Sequence, residues 1–372
     1  MCPTVLRLPR WYPFRAGVRF VLGGLLAGGA AAGQDPPPPP AAVAPADPAP
    51  PAVAAPAAAA AASTPAAKPR DLAQRLKLET SDGVPVAAWY YPPRPPAAPA
   101  ADEEQAAPPA VVILLHDLDG SHLTVEPLAK ALQQQGIAVV APDLRGHGES
   151  GGRAGGGGEA LTPRTIKKAD LEAIARTGGG RVRDQATVRG EIEAVRGWIK
   201  DQAATGACDF DRLFVVGSGL GGALAAHWVV ADAAWPGLAS GPQGGNVRGV
   251  VLVSPAWTTR GFSVSPALTA EPVARSLPVL VIAGTGDDEA MRLFAQLKRQ
   301  RPDSWYEKRA GQPASRAAKV QDATPSLYLM QVDAAQSGDA LASQRSTDPR
   351  RAGSDPAGLI AGFIRSMSPS EP

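Results

Sequence analysis

The stretch "FVVGSGLGGALAAHW", Phe214 to Trp228, constrains this chain more than any other. An apolar run, a glycine cluster and a second apolar run read as a buried strand, a tight turn and a helix. Such a turn serves one of two chemistries. Its glycines let a pyrophosphate approach the backbone at the helix N-terminus, or its apex lifts a nucleophilic side chain out of the strand. The surrounding residues discriminate between them.

Gly217, Gly219 and Gly222 satisfy the dinucleotide-binding spacing literally, in the strand-then-helix context it requires. That chemistry also wants an acidic residue about 20 positions on, at the end of the following strand, to hold a ribose. The following strand ends "VLVSPAW", without a carboxylate, and Asp232 falls in the continuation of the helix. Several strands precede the turn, whereas the fingerprint normally opens its fold. A dinucleotide-binding protein built on Gly217–Gly222 therefore stands as an alternative.

The wider order of elements defines the fold class. "RLKLETSDGVPVAAWYYPP" alternates and turns at Asp82-Gly83, which predicts a β-hairpin. "AVVILLHD" is continuously apolar, as a strand buried on both faces must be. The helix "VEPLAKALQQQG" stops at Gly136, and "IAVVAPDLRGHGES" is the next strand with its exit loop. "RGEIEAVRGWIKDQ" carries Ile192, Val195, Trp198 and Ile199 on one stripe of a helix. Beyond the glycine turn come "VRGVVLVSPAW", "LPVLVIAGTGDD", the helix "EAMRLFAQLKRQ", "SLYLMQVD" and a last helix in "DPAGLIAGFIRSM". Strands alternating with helices predict an α/β domain with a mainly parallel sheet covered on both faces. Residues 151–190, glycine-rich and then helical in "IKKADLEAIART", form a lid-like excursion.

The ends of the chain carry different information. Arg7, Arg10, Arg15 and Arg19 precede "FVLGGLLAGGAAAG", a short apolar stretch closing on small residues. Residues 1–33 therefore read as a signal peptide cleaved near Ala32 or Gly33, exporting the chain to the periplasm or beyond. The alternative is an uncleaved membrane anchor, although these 14 residues fall short of the ~20 needed to span a bilayer. Residues 34–70, rich in Pro and Ala, read as a semi-rigid linker that associates the domain at 71–372 with the cell envelope. A net charge of +2 gives no footprint for nucleic acid. With Cys2 in the signal, Cys208 has no partner for an intramolecular disulfide and reads as a small packed residue.

From about Leu76 to Met367 the chain resembles the α/β-hydrolase fold superfamily of serine esterases and lipases. The hairpin, "VVILLHDLDG" where the family has a strand followed by His-Gly, and "VVAPDLRGHGES" at its fourth-strand loop carry the resemblance. "VVGSGLGG" matches the nucleophile elbow, and "PVLVIAGTGDD" matches the strand that presents the catalytic acid. The resemblance implies a nucleophile, an acid and then a histidine in that chain order. Laid on Gly217 and Gly221, the elbow puts Gly219 at the nucleophile position, so the serine is absent. A register that promotes Ser218 sets Val216 and Leu220 where the turn needs small residues. A serine restored at Gly219 is expected to cost about 1–3 kcal/mol in backbone strain.

Asp287 falls at the acid position, with Asp288 beside it. All four histidines, His116, His122, His147 and His227, precede it, so no base follows. The oxyanion region falls on Asp117, Leu118 and Leu220, with Asp117 where the family has glycine; a carboxylate there opposes a developing negative charge. His116 is structural in the family, and His147 braces a Gly-His-Gly loop. His116 and His122 in "HDLDGSH" lack the helical pair or cysteine partner of a metal site, and Gly155–Gly158 lacks the Lys-Ser/Thr of a phosphate loop. These readings predict an exported pseudohydrolase with a binding or structural role. It would use no cofactor or metal, and its partner would be an unidentified small molecule or protein. The competing enzyme reading is an ester or lipid hydrolase using relocated residues, Ser218 or Ser121 with His116 or His147.

Overall fold

The computed structural model describes residues 73–94, 108–151, 160–178, 189–235, 243–317, 324–346 and 355–367. The chain divides after Thr64, and all of these residues belong to the second unit, Pro65–Pro372. The expected signal and linker lie outside the described residues, as do 152–159 and 179–188 of the excursion. Among the described residues no helix is long and apolar enough to cross a membrane.

The chain opens with β1 (Gln74–Glu79) and β2 (Pro85–Tyr91), an antiparallel hairpin whose turn places Gly83 at φ 75°. Then come β3 (Ala110–Leu115), α1 (His122–Gln134), β4 (Ala138–Pro142), α2 (Lys168–Ile174) and α3 (Glu191–Ala203). The glycine turn joins β5 (Asp209–Ser218) to α4 (Leu220–Ala233). After β6 (Val247–Val253) a small hairpin, β7 (Thr258–Thr259) and β8 (Phe262–Ser263), leads into α5 (Ser265–Thr269). The remainder is β9 (Val279–Ala283), α6 (Asp288–Gln300), β10 (Trp305–Lys308), β11 (Ser315–Arg316), β12 (Leu327–Gln331), α7 (Gly338–Ala342) and α8 (Pro356–Met367).

The strands form one sheet in the order β1-β2-β4-β3-β5-β6-β9-β12-β10-β11. Pairing is parallel from β4 across to β10 and antiparallel at both margins, through β1-β2-β4 and β10-β11. The two-residue period of the central strands sends alternate side chains into two separate cores. Ile113, Val215, Leu252 and Val281 pack with Val195 of α3, Trp228 of α4 and Leu293 of α6 on one face. Val112, Val216, Val251 and Ile282 pack with Leu128 of α1 and Phe363 of α8 on the other. Both faces being covered explains why these strands read as unbroken apolar runs.

The excursion contributes α2, whose Leu171 and Ile174 join the first core. Cys208 is buried there as well, and burial pushes its thiol up to about 11, which suits a packing role. No sequence pattern announces β7, β8, α5, β10, β11 or α7. Each spans five residues or fewer, too short for a periodic signal.

One buried ion pair locks the hairpin and α3 to the loop after β4. Arg145 donates from Nε to Glu191 Oε1 at 2.5 Å and from Nη2 to Oε2 at 3.1 Å, with Asp82 of the hairpin turn 3.6 Å away. Replacing Arg145 by Met leaves the Glu191 charge buried and unpaired. We expect Arg145→Met to cost about 3–5 kcal/mol, read as a drop in the urea midpoint at unchanged slope.

Candidate active site

The turn between β5 and α4 places Gly219 at φ 50°, ψ −118°, a conformation that favours glycine. Its amide donates to Val253 O at 3.0 Å and its carbonyl accepts from Ala256 N at 3.0 Å, so the apex is pinned to the end of β6. A Cβ on Gly221 would lie 2.5 Å from Leu115 O, which is why the start of α4 can sit so close to β3.

Asp117 decides the electrostatics. Its Oδ1 accepts from Leu118 N at 2.7 Å and from Leu220 N at 2.8 Å. These two amides, one from the loop after β3 and one following the turn apex, are where an oxyanion hole would be built in this arrangement. The Asp117 side chain turns in, onto both amides. A Cβ on Gly219 would fall 2.0 Å from Asp117 Cγ and 2.1 Å from each carboxylate oxygen. Strain alone therefore understates what a serine at 219 meets: it must also displace Asp117.

A second carboxylate supports the first. Asp339, at the start of α7 in the loop that follows β12, accepts from Asp117 N on Oδ1 at 2.8 Å. Ser218 Oγ donates to the same Oδ1, and Thr124 Oγ1 donates to Oδ2. Burial raises both Asp117 and Asp339 above the usual carboxylate range; the amides of Leu220 and Leu118 oppose the shift at Asp117, and Ser218, Thr124 and the Asp117 amide oppose it at Asp339. Asp339 and Thr124 escaped the sequence reading. The available signal was Gly338-Asp339 following the last apolar strand, where the chain order calls for a histidine.

Asp287 caps α6, accepting from Ala290 N on Oδ1 at 3.0 Å, while its buried Oδ2 has no hydrogen bond among the described residues. It lines a cavity of about 470 Å³ together with Asp117, Gly219, Ser254, Asp288 and Glu289, among others.

Among the described residues, none of the histidines is hydrogen-bonded to a serine side chain. His116 is fully buried: Nδ1 donates to Asp117 O at 2.6 Å and Nε2 accepts from Leu144 N at 3.1 Å, and burial pushes its pKa down to about 4. Both nitrogens are thus spent on backbone in the neutral form. His147 faces Arg145 O through Nδ1 at 3.0 Å and Leu118 O through Nε2, bracing its loop. His122 stacks on Trp89 and meets Asp143 Oδ1 through Nδ1 at 3.0 Å; His227 meets Ser263 O at 2.8 Å. Ser121 caps α1, accepting from Leu123 N at 3.3 Å, and Ser218 is committed to Asp339. No hydrogen bond joins the relocated pairs, Ser218 or Ser121 with His116 or His147, among the described residues. No cluster of three or more His, Cys, Asp or Glu with metal-holding geometry occurs among the described residues.

The turn is equally unsuited to a pyrophosphate. The Leu220 amide that would meet it already holds the Asp117 carboxylate. Asp232 lies at the far end of α4, buried, with Oδ2 accepting from Gly245 N at 2.8 Å.

A sequence profile described as "Alpha/beta hydrolase family" matches residues 112–362. Among curated proteins none matches the chain. Solved structures similar to it include an esterase from Pyrococcus furiosus, at 14% identity and TM-score 0.47, covering 79% of this chain and 91% of that one. An α/β serine hydrolase without a lid from Xanthomonas campestris gives 18% identity and TM-score 0.43, covering 81% and 97%. A thermophilic carboxylesterase cloned from a metagenomic library gives 17% identity and TM-score 0.47, covering 80% and 90%.

The crowding at the apex is directly measurable. Gly219→Ser alone is expected to cost more than the about 3 kcal/mol upper bound of backbone strain. In an Asp117→Gly background the same substitution should cost only that strain, about 1–3 kcal/mol. Urea denaturation of the four proteins gives the coupling between the sites, and additive effects would remove the clash.

Proposed function

The chain belongs to the alpha/beta hydrolase family, and from that premise we propose that it is an exported member without hydrolase activity, acting by binding or as a structural domain. One observation carries the reading: the Asp117 carboxylate sits on the Leu118 and Leu220 amides. Ester hydrolysis by this fold needs those amides free, because they stabilise the negative oxygen of the tetrahedral intermediate. A resident carboxylate blocks them sterically and repels the charge they would serve. Gly219 supplies no nucleophile, and Asp339 occupies the loop in which the base is expected. Ser218 does donate to Asp339, but attack by it would build negative charge where the Leu118 and Leu220 amides are already taken by Asp117.

The cavity beside the turn carries four acids, Asp117, Asp287, Asp288 and Glu289, so the binding role we infer is for a ligand that is not an anion. Export rests on residues 1–33, with residues 34–70 as the tether; the N-terminal sequence of the mature protein recovered from the expressing cell tests it.

Activity is tested on the purified protein. Turnover of p-nitrophenyl butyrate should equal that of an Asp287→Ala variant, because Asp287 has no histidine to orient, and a fluorophosphonate probe should leave the protein unlabelled. Stoichiometric labelling at Ser218 or Ser121, with turnover lost in step, would overturn the non-catalytic reading.

A further inference from the structure

Two residues beyond Glu191, helix α3 enters a second buried charge cluster that the candidate site does not touch. Glu193, Arg196 and Asp232 are 5%, 7% and 1% exposed. Arg196 is the hub. Its Nη1 donates to Glu193 Oε1 at 3.1 Å, and its Nη2 donates to Gln243 O at 2.7 Å and to Asn246 Oδ1 at 2.8 Å. Its Nε lies 3.4 Å from Asp232 Oδ1, and the guanidinium sits 5.3 Å from the centre of the Phe210 ring. Asp232 in turn receives Gly245 N on Oδ2 at 2.8 Å. A single cation therefore joins α3, the end of α4 and the chain entering β6.

Among the described residues, two buried carboxylates share one buried guanidinium, and Glu193 Oε2 is buried with no hydrogen bond. Arg189, just before α3, is the other charge that bears on Glu193, and its guanidinium lies over the Trp235 ring at 6.0 Å. Asp232 Oδ1 and Arg196 Nε make no hydrogen bond but lie 3.4 Å apart, and Asp232 Oδ2 accepts an amide, whereas Glu193 Oε2 has neither a hydrogen bond nor an ion pair among the described residues. An ionised carboxylate in that setting is costly; a protonated one is not.

We propose that Glu193 is a proton-operated latch on the junction of α3, α4 and residues 243–246. In its neutral form the cluster reduces to an Arg196–Asp232 pair with Arg196 free to hold Gln243 O and Asn246. When Glu193 ionises, an unpaired negative charge is left inside and the junction loosens. This inference stands apart from the proposed function and survives its failure.

The electrostatics agree with the geometry. Burial pushes Glu193 from 4.5 up to about 7, with Asp232 reinforcing the shift and Arg196 and Arg189 opposing it. The folded state thus binds this proton more tightly than the unfolded chain. Its stabilisation is complete below about pH 4.5, declines as pH rises, and is gone above about pH 7. Asp117, Glu191, Asp232 and Asp339 are also raised and act in the same sense, so the latch is read as a difference between two proteins.

The experiment compares the full chain with Glu193→Gln by urea denaturation at about pH 5, 6, 7 and 8. Near pH 5 the two should coincide, because glutamine resembles the protonated acid. Between about pH 5 and 7 the folding constant of the parent should fall relative to the variant, by up to about tenfold per pH unit. At pH 8 the amides of Gly245 and Asn246 should exchange faster in the parent. A parent-to-variant ratio independent of pH, or a variant less stable than the parent at pH 8, overturns the latch. If the variant fails to fold, the assigned carboxyl carbon of Glu193 in the parent decides: titration near pH 7 supports the proposal, and titration below about pH 5.5 overturns it.

Discussion

A carboxylate held by two backbone amides organises everything at the top of this sheet. Asp117 takes the Leu118 and Leu220 amides on one oxygen, and those amides come from two segments that the β3–β5 pairing brings side by side. The arrangement is favourable because amides at a helix start are short of partners and the local dipole favours negative charge. The physics that suits the place to a transient oxyanion suits it equally to a permanent one. Around that choice the neighbours are fixed: glycine at 219 for space, and Asp339 beneath to receive the Asp117 amide and the Ser218 hydroxyl.

The parts of the fold that could be read from sequence were those in which one physical requirement governs a whole segment. β3, β5, β6 and β9 are buried on both faces, so each is an apolar run bounded by turn residues, and their order with α3, α4 and α6 defined the parallel sheet. The hairpin was legible from alternation and Asp82-Gly83. The elbow was legible because its glycines answer to backbone geometry rather than to any partner. Spacing alone locates Gly219, Asp117, Leu118, Leu220 and Asp287 just past the ends of β3, β5 and β9, but not what their side chains do.

What could not be read depends on side-chain direction or on contacts across the chain. Asp117 pointing inward follows from amides more than a hundred residues apart in one case, and no local pattern encodes that. Asp339 reaches Thr124 across a sequence separation of 215 residues, and its role exists only once β12 and α1 are positioned. The short strands β10 and β11 owe their pairing to the sheet margin rather than to their own composition. The buried cluster around Arg196 is likewise invisible in sequence, since Glu193 sits on a helix where charged residues normally face water.

The contact between residues 117 and 219 also makes the two positions interdependent. A Cβ at 219 and a carboxylate at 117 claim the same space, so no side chain fits at 219 while Asp117 keeps its present pose. A change at 219 is therefore felt at the Leu118 and Leu220 amides, which lose their carboxylate when Asp117 is pushed aside. The pair behaves as a mutual lock: the backbone at the apex stays bare because a distant loop has filled the space above it.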